Sequence, residues 1–564
     1  MMNLRIFLDR FIPQICGIIT ISFTPFATID PTSPIKMALL GTCAFGLLFA
    51  IFLLKPSQLH SNSLGNYLLL GLTISLLVVF FKSEENKIEQ FYGTISRNFG
   101  LLSQLSLIIF CAAGAAYSSS NLILKIKKSI LLYGSINMAY GTLQVMGEDF
   151  VSSWDTTFVN TARGFFANPN QYSSFTAMVA LVSMSNLLDK KRKLSENLGT
   201  LSFASFAILN IYFANSVQGF VVLGAGILLL ILLFIHQKFQ DKKYFISALS
   251  VAVTLTFIAV LDIFQKVPWK PYLYSSTIET RGDYWRTGIA MGQNHPIFGV
   301  GLDKYLEWYR SSRDSVAAAR PYANEVSNSA HNIFIDYFAW GGYPLLIMYS
   351  LLQLYIVVKL FKIVMNLKRY NSESLVVLMI FIVYFLQSLI SPVHLGFAVW
   401  GWLASGLILG WKLEKNSEKI EINVKHKLKV NQSEVFVNQR TKTVSLFLLG
   451  ITVGALISTP YIIQEIRFRN GVYGEKSYSQ MYNAAYIWPK SSTRMAQASW
   501  KLYINGSTDK SLEVALDAVR YSPNNFYGWM VLYSRSDLDE NLRKEVEKNI
   551  NRLEPRANNI KKFG

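Results

Sequence analysis

Arg281-Gly-Asp-Tyr-Trp285, then Asn294-His-Pro-Ile-Phe-Gly-Val-Gly301, then Ser329-Ala-His331-Asn332 punctuate a polar stretch at residues 265–331, set between long apolar segments. The last motif stands where the next apolar helix begins. A chain rich in apolar side chains has little reason to keep so long a polar, aromatic and basic stretch unless the stretch does something. Where it sits relative to a membrane decides the fold and most of the functional argument.

Hydrophobic residues make up 51% of the chain, charged residues 16% and aromatics 14%. Soluble domains carry about 25% charged residues. Here the apolar residues fall in runs of 16–21, long enough to cross a hydrocarbon core of about 30 Å. Thirteen candidate spans lie near 12–29, 37–54, 66–81, 100–117, 129–146, 172–188, 198–215, 217–235, 244–264, 332–360, 374–390, 394–412 and 443–460. The expected fold is an all-α polytopic membrane protein with 12–13 transmembrane helices. The 332–360 segment exceeds one straight span, and Gly341-Gly342-Tyr343-Pro344 predicts a break after a short leading helix. The first span lacks a convincing small-residue cleavage site and is followed at once by another. It therefore reads as a retained helix rather than a cleavable signal peptide.

Orientation follows from Lys and Arg, which collect on the cytoplasmic side of short loops. With the N-terminus inside, the inner loops hold Lys125, Lys127 and Lys128, then Lys190, Lys191, Arg192 and Lys193, then Lys238, Lys242 and Lys243, then Lys359, Lys362, Lys368 and Arg369. The short outer loops are poor in them: Lys36 in one and Arg163 alone in 147–171. The 82–98 loop balances three basic residues with Glu84, Glu85 and Glu89. The chain then divides into membrane helices (1–264), a large outer loop (265–331), further membrane helices (332–413), a basic cytoplasmic loop (414–442), a last transmembrane helix (443–460) and an outer domain (461–564).

The net charge of +19 is on this reading topogenic and signals no nucleic-acid partner. Anionic lipid is an alternative partner for the lysines of the 414–442 loop. Cys16, Cys43 and Cys111 all fall inside spans, no CxxC occurs, and the outer segments have no disulfide framework.

The 461–564 segment is polar, with apolar residues at helical spacing. Trp488-Pro489 precedes one helical pattern and Ser522-Pro523 another, the prolines 34 residues apart, with Pro555 following 32 later. This resembles a tetratricopeptide repeat. One repeat with flanks is fewer than the three such folds need, so the domain is expected to lean on the membrane domain or on a partner. A plain helical bundle remains the alternative.

Enzymes that act on lipid-linked substrates work where head groups meet water. Arg163, Arg281 and His331 all fall at such a boundary on the outer face. Guanidinium groups pair with phosphate oxygens through a rigid, permanently charged fork, and histidine accepts a hydroxyl proton near neutral pH. Bland roles stay open for each: Arg163 snorkelling to head groups, Arg281 pairing with Asp283 or Glu279, His331 capping its helix through Ser329 or Asn332. His295 reads as a turn residue and His394 as a weaker site candidate, while His60, His236 and His426 face the cytoplasm. Tyr272, Tyr274, Tyr284, Trp285, Tyr305, Trp308 and Tyr309 either stack on sugars or form the loop's own core. No P-loop, dinucleotide fingerprint, HExxH or outer carboxylate pair occurs, so no cofactor or metal is expected.

Taken in order, Arg281, Trp285, Pro296-Ile-Phe-Gly299-Val-Gly301 and Ala330-His331-Asn332 followed by Gly342-Tyr-Pro344 resemble the signature of the O-antigen ligase/polymerase superfamily, which shares the Wzy C-terminal domain. Arg163-Gly-Phe-Phe-Ala-Asn168-Pro-Asn170 is similar to an upstream element of that family. The resemblance covers roughly residues 160–410. It implies a GT-C-like membrane glycosyltransferase in the bacterial inner membrane, with a glycan on undecaprenyl pyrophosphate as donor and a lipid or protein as acceptor. It further implies that Arg163 and Arg281 bind the pyrophosphate, that His331 activates the acceptor hydroxyl, and that transfer inverts the anomeric carbon without a metal. Asn332, Trp285, Asn168, Asn170 and His394 become supporting or substrate-contacting candidates. Members often carry a glutamate where this chain has Trp340, and simple ligases lack the outer domain. The single large outer loop favours a ligase over a polymerase extending lipid-linked repeat units. A flippase would call for internal repeats and mid-membrane charges, which are not evident.

Overall fold

The computed structural model describes residues 2–26, 28–52, 63–150, 160–188, 192–239, 242–263, 268, 276–319, 326–366, 372–411, 433–474 and 477–556. Among these every regular element is helical. A helix meets each of the thirteen expected spans. Five are long and apolar enough to cross a membrane by length and composition: Ser33–Ile51, Ser63–Lys82, Val217–Phe239, Ile333–Asn366 and Val444–Val472. Leu101–Tyr117, Glu373–Ser388 and Leu395–Gly410 are shorter apolar helices.

Small residues set the tightest pairings. The Ser33–Phe52 helix packs along the Ser433–Val472 helix. A Cβ on Gly450 would stand 2.6 Å from the Phe45 carbonyl oxygen, and one on Gly454 2.7 Å from that of Thr42. Backbone-to-backbone approach of this kind is how membrane helices gain dispersion contacts where lipid supplies no hydrophobic drive. One continuous buried core runs from Leu8 to Tyr461 and takes in Tyr284, Tyr305 and Tyr309 of the 265–331 stretch.

Several boundaries differ from the sequence expectation. The first helix is Met2–Ile21 rather than 12–29, because Leu8, Ile12, Ile15 and Ile19 form a buried stripe at helical spacing that a hydropathy window undercounts. The 265–331 stretch is no plain loop: it contains the helices Ser276–Asn294, Tyr305–Ser312 and Ser315–Ala319. Tyr272 and Tyr274 lie outside the described residues, as does the 412–432 part of the basic loop. The last membrane helix does not stop at 460 but runs from Ser433 through Pro460 to Val472. Its end is held because Phe468 and Val472 enter the core of the helices that follow it, beside Ala484, Met495 and Leu502.

Those helices are Tyr478–Ala485, Ser492–Ile504, Thr508–Tyr521, Phe526–Tyr533 and Glu540–Leu553. Ser477, Ser491, Asn525 and Asp539 cap four of these by accepting from backbone N–H groups of the first turn. The domain does lean on the membrane domain. Glu89 accepts from the backbone N–H and the hydroxyl of Ser492, each at 2.7 Å. Asn524 donates to Glu85 at 2.6 Å. Arg310 and Arg313 both pair with the buried Glu554.

Candidate active site

The break foreseen at Gly341-Gly342 is present: Gly341 (φ −141°) and Gly342 (φ +62°) leave the helical region. The Pro296–Gly301 turn docks into it. Val300 and Gly301 donate their N–H groups to the carbonyls of Ala339 and Trp340 at 2.8 and 3.1 Å, and Tyr343 N–H donates to the Pro296 carbonyl at 2.8 Å. A Cβ on Gly299 or Gly342 would overlap the facing backbone. The Gly-rich turn is thus a bracket for a broken helix and holds no nucleotide loop geometry.

The same bracket lays the Ser276–Asn294 helix against the leading half of the broken helix. Gly288 and Gly292 sit where Ile335 and Phe338 approach, with no room for a Cβ. That approach fixes Tyr284 over His331, the two rings stacked 5.0 Å apart at 25°. Tyr284 is itself held through its carbonyl, which accepts from the Tyr305 hydroxyl at 2.5 Å.

His331 is no helix cap. Asn332 is the cap, its Oδ1 accepting from Phe334 and Ile335 N–H at 3.0 and 3.3 Å. His331 occupies the left-handed region (φ +56°), which costs a non-glycine residue roughly 1–2 kcal/mol and persists only where surroundings impose it. Asp336, one turn into the helix, imposes it. Its carboxylate accepts from Ser329 Oγ and from Ala330 N–H, both at 2.8 Å. Ser329 Oγ in turn accepts from His331 N–H at 2.9 Å. His331 Nδ1 lies 3.3 Å from the Ser329 carbonyl oxygen. A carbonyl only accepts, so this contact assigns the proton to Nδ1 and leaves the lone pair on Nε2. Burial, with the positive charges of Arg281 and Arg97 nearby, lowers the imidazole to about 4. The ring is therefore neutral at pH 7.

Arg281 lies one turn before Tyr284 on the same helix face. Asp283 does not pair with it: Asp283 takes Arg286 at 2.5 Å. Burial pulls the Arg281 guanidinium below its ordinary value, yet it stays protonated at any physiological pH. Among the described residues no carboxylate is recorded against it.

Arg97, read in the sequence as one charge of a mixed loop, proves central. It pairs with Asp336 at 2.8 Å and Asp303 at 3.4 Å and donates to the Asn328 carbonyl at 2.6 Å. Its guanidinium covers the Trp340 ring at 4.9 Å. Trp340, fully buried, thus serves as a platform for Arg97. Position 340 itself holds no acid, and the carboxylate beside Arg97 comes from Asp336, one turn earlier on the same helix.

Arg163 belongs to a separate group. Its guanidinium pairs with Asp149 at 2.6 Å, and its N–H and that of Gly164 donate to Gln144 Oε1 at 3.0 and 2.8 Å. Asn168 caps the Pro169–Met184 helix, and Asn170 Oδ1 accepts from Ser216 Oγ at 2.6 Å. The 387–394 segment joins this group to the His331 group. Gln171 donates to the Pro392 carbonyl at 2.6 Å, Asn332 donates to that of Leu389 at 3.2 Å, and the His394 ring lies 4.9 Å from that of Phe166. Trp285 packs half-buried at the edge of the main core. Tyr284, Tyr305 and Tyr309 pack on one another, and Trp308 donates to Glu85 at 2.9 Å. Of the loop aromatics, these four are structural.

A family model described as O-antigen ligase (Wzy_C) matches residues 202–350, which contain Arg281, the Pro296–Gly301 bracket and His331. Residues 202–350 are thus similar to the O-antigen ligase family, and with its apolar helices the chain is a multi-pass membrane protein. No curated protein matches it.

Proposed function

We propose that the protein is a ligase-type membrane glycosyltransferase, moving a glycan from undecaprenyl pyrophosphate to a lipid or protein acceptor at the outer face of the inner membrane. One observation carries the reading: a neutral His331 with its lone pair on Nε2 stands within electrostatic reach of Arg281, a half-buried cation with no carboxylate against it among the described residues. A partly desolvated guanidinium gains from an anion that joins it, and a pyrophosphate is such an anion.

In this scheme Nε2 takes the proton of the acceptor hydroxyl. The hydroxyl oxygen attacks the anomeric carbon opposite the phosphate, the bond to the phosphate oxygen breaks, and its electron pair leaves on undecaprenyl pyrophosphate. The new glycosidic bond has inverted configuration. Arg281 stabilises charge that grows on the leaving group. Arg163 contributes from the neighbouring group by sharing its fork between Asp149 and the donor. Asn332 and Asn168 cap the helices beside the donor path, Asn170 holds Ser216, and the His394 ring packs on Phe166. The scheme draws on no metal or cofactor.

The test is transfer in liposomes. Purified protein receives undecaprenyl-pyrophosphate-linked glycan and cell-envelope extract, with His331→Ala and Arg281→Ala alongside. A single addition to a lipid or protein acceptor, lost in both variants, supports the reading. A ladder of longer glycans on the carrier makes the protein a polymerase. Carrier movement between leaflets without transfer overturns the enzyme.

A further inference from the structure

A cavity of about 180 Å3 lies where the outer domain, the 88–95 segment, the loop helix and the last membrane helix meet. One ordered water needs about 10–15 Å3 of such space, so the cavity has room for a small ring compound rather than for a bridging water. It is lined by Glu89, Tyr92, Lys304, Glu307, Tyr461 and Lys490, among others.

The lining is of two kinds. Tyr92 and Tyr461 form an aromatic pair with centroids 5.3 Å apart. Lys304, Glu89 and Glu307 form a charge cluster, with Lys304 Nζ at 2.5 Å from Glu89 and 3.0 Å from Glu307. The second carboxyl oxygen of Glu307 is buried and has no hydrogen-bond partner. Leaving a buried polar atom unpaired is costly, so the site lacks a partner for that atom. Two carboxylates stand against two ammonium groups, Lys304 and Lys490. That balance favours neither a phosphate nor a cation. An uncharged molecule with apolar faces and a rim of hydroxyls satisfies both kinds of wall: C–H faces against the tyrosines, hydroxyls against the cluster.

We propose that this cavity binds a neutral pyranose unit, held between the outer domain and the membrane domain at a site separate from the reacting atoms. The inference rests on the glycosyltransferase reading only for where that sugar comes from. The Glu307 carboxyl oxygen left without a partner accepts from one of the sugar's hydroxyls. The site also has a defined relation to catalysis. Lys304 follows Asp303, which pairs with Arg97, and Arg97 reaches Asp336 under the His331 turn. A sugar bound here is anchored to the same framework that positions His331.

The experiment uses the full chain in detergent and a methyl glucoside carrying a photoreactive diazirine. Irradiation is followed by peptide mapping, with excess plain methyl glucoside as competitor. Labelling of residues 88–95, 304–307 or 489–493, suppressed by the competitor, is the expected result. In Thr493→Trp, which fills the cavity, and in Glu307→Leu, labelling falls roughly tenfold, about 1.4 kcal/mol in affinity. Labelling only elsewhere, labelling insensitive to the competitor, or no labelling of the wild type overturns the proposal. The wild-type map decides even if both variants fail to fold. Because no transfer is measured, an inactive transferase leaves the result standing, and an active transferase with an unlabelled cavity sinks this inference alone.

Discussion

Arg97 Nη2 donates to Asp336 Oδ2 across 2.8 Å, and the two side chains keep only 3% and 1% of their surface in solvent. Removing one member of a buried ion pair strands the other and costs roughly 3–5 kcal/mol. Asp336→Ala is expected to lower stability by about that much, read as a drop in the unfolding midpoint. Asp336→Asn keeps the shape and the acceptor for Ala330 N–H. It should recover part of the stability while kcat stays low and KM changes little, because His331 loses its fixed orientation.

The pH profile tests the state of His331. Its folded value is about 4 against the usual 6.5. A depressed histidine is neutral in the folded protein while the unfolded chain still takes up a proton. Its contribution to stability is complete above pH 6.5 and declines as pH falls toward 4. The acid limb of kcat/KM should accordingly lie near pH 4 rather than near 6.5. Removing the positive charge in Arg281→Met should move the limb of the residual activity upward, toward 6.5. A limb that stays near 4 in the variant would show that burial alone sets the value.

Gly342→Ala places a Cβ against the Pro296 carbonyl in a left-handed backbone (φ +62°). With ψ at −160° this backbone lies in a region essentially reserved for glycine, and the collision adds to that cost. The expected outcome is loss of transfer together with a lowered unfolding midpoint, since the bracket that fixes Tyr284 over His331 can no longer close. Gly147→Ala, also left-handed (φ +91°) but in open space, is the control that carries the conformational cost alone.

Glu554 neutralises two arginines of the loop helix and its end, with Arg313 and Glu554 both buried. Glu554→Ala should free the outer domain from the loop, seen as faster limited proteolysis between residues 477 and 556, with about 3–5 kcal/mol lost from the contact.

What could be read from the sequence follows physical range. The Gly341-Gly342-Tyr343-Pro344 break was legible because glycine and proline act on their own backbone. His331 and Arg281 were singled out by motif order, and the Tyr284 ring that stacks on His331 lies one turn after Arg281 on the same helix; their roles rest on the proposal. Arg97 was not, since its partner Asp336 lies 239 residues away and its own loop looked like balanced surface charge. The joining of Arg163 with the other two was expected but is not seen as a contact: Arg163 is held by Asp149, an acid of the same 147–171 loop that no pattern singled out. The end of the last helix was misplaced for a related reason. Phe468 and Val472 are buried only by a domain that follows them.

The Arg313–Glu554 pair has a consequence for how the protein is made. The two residues are 241 positions apart, so the loop that carries Arg281 emerges long before the acid that neutralises Arg313. Until Glu554 has been made, Arg310 and Arg313 lack the carboxylate they share, and the Tyr305–Ser312 helix lacks that tie to the helices that follow residue 477. A chain cut before Glu554 is therefore expected to keep every catalytic candidate while losing part of the scaffold beside them.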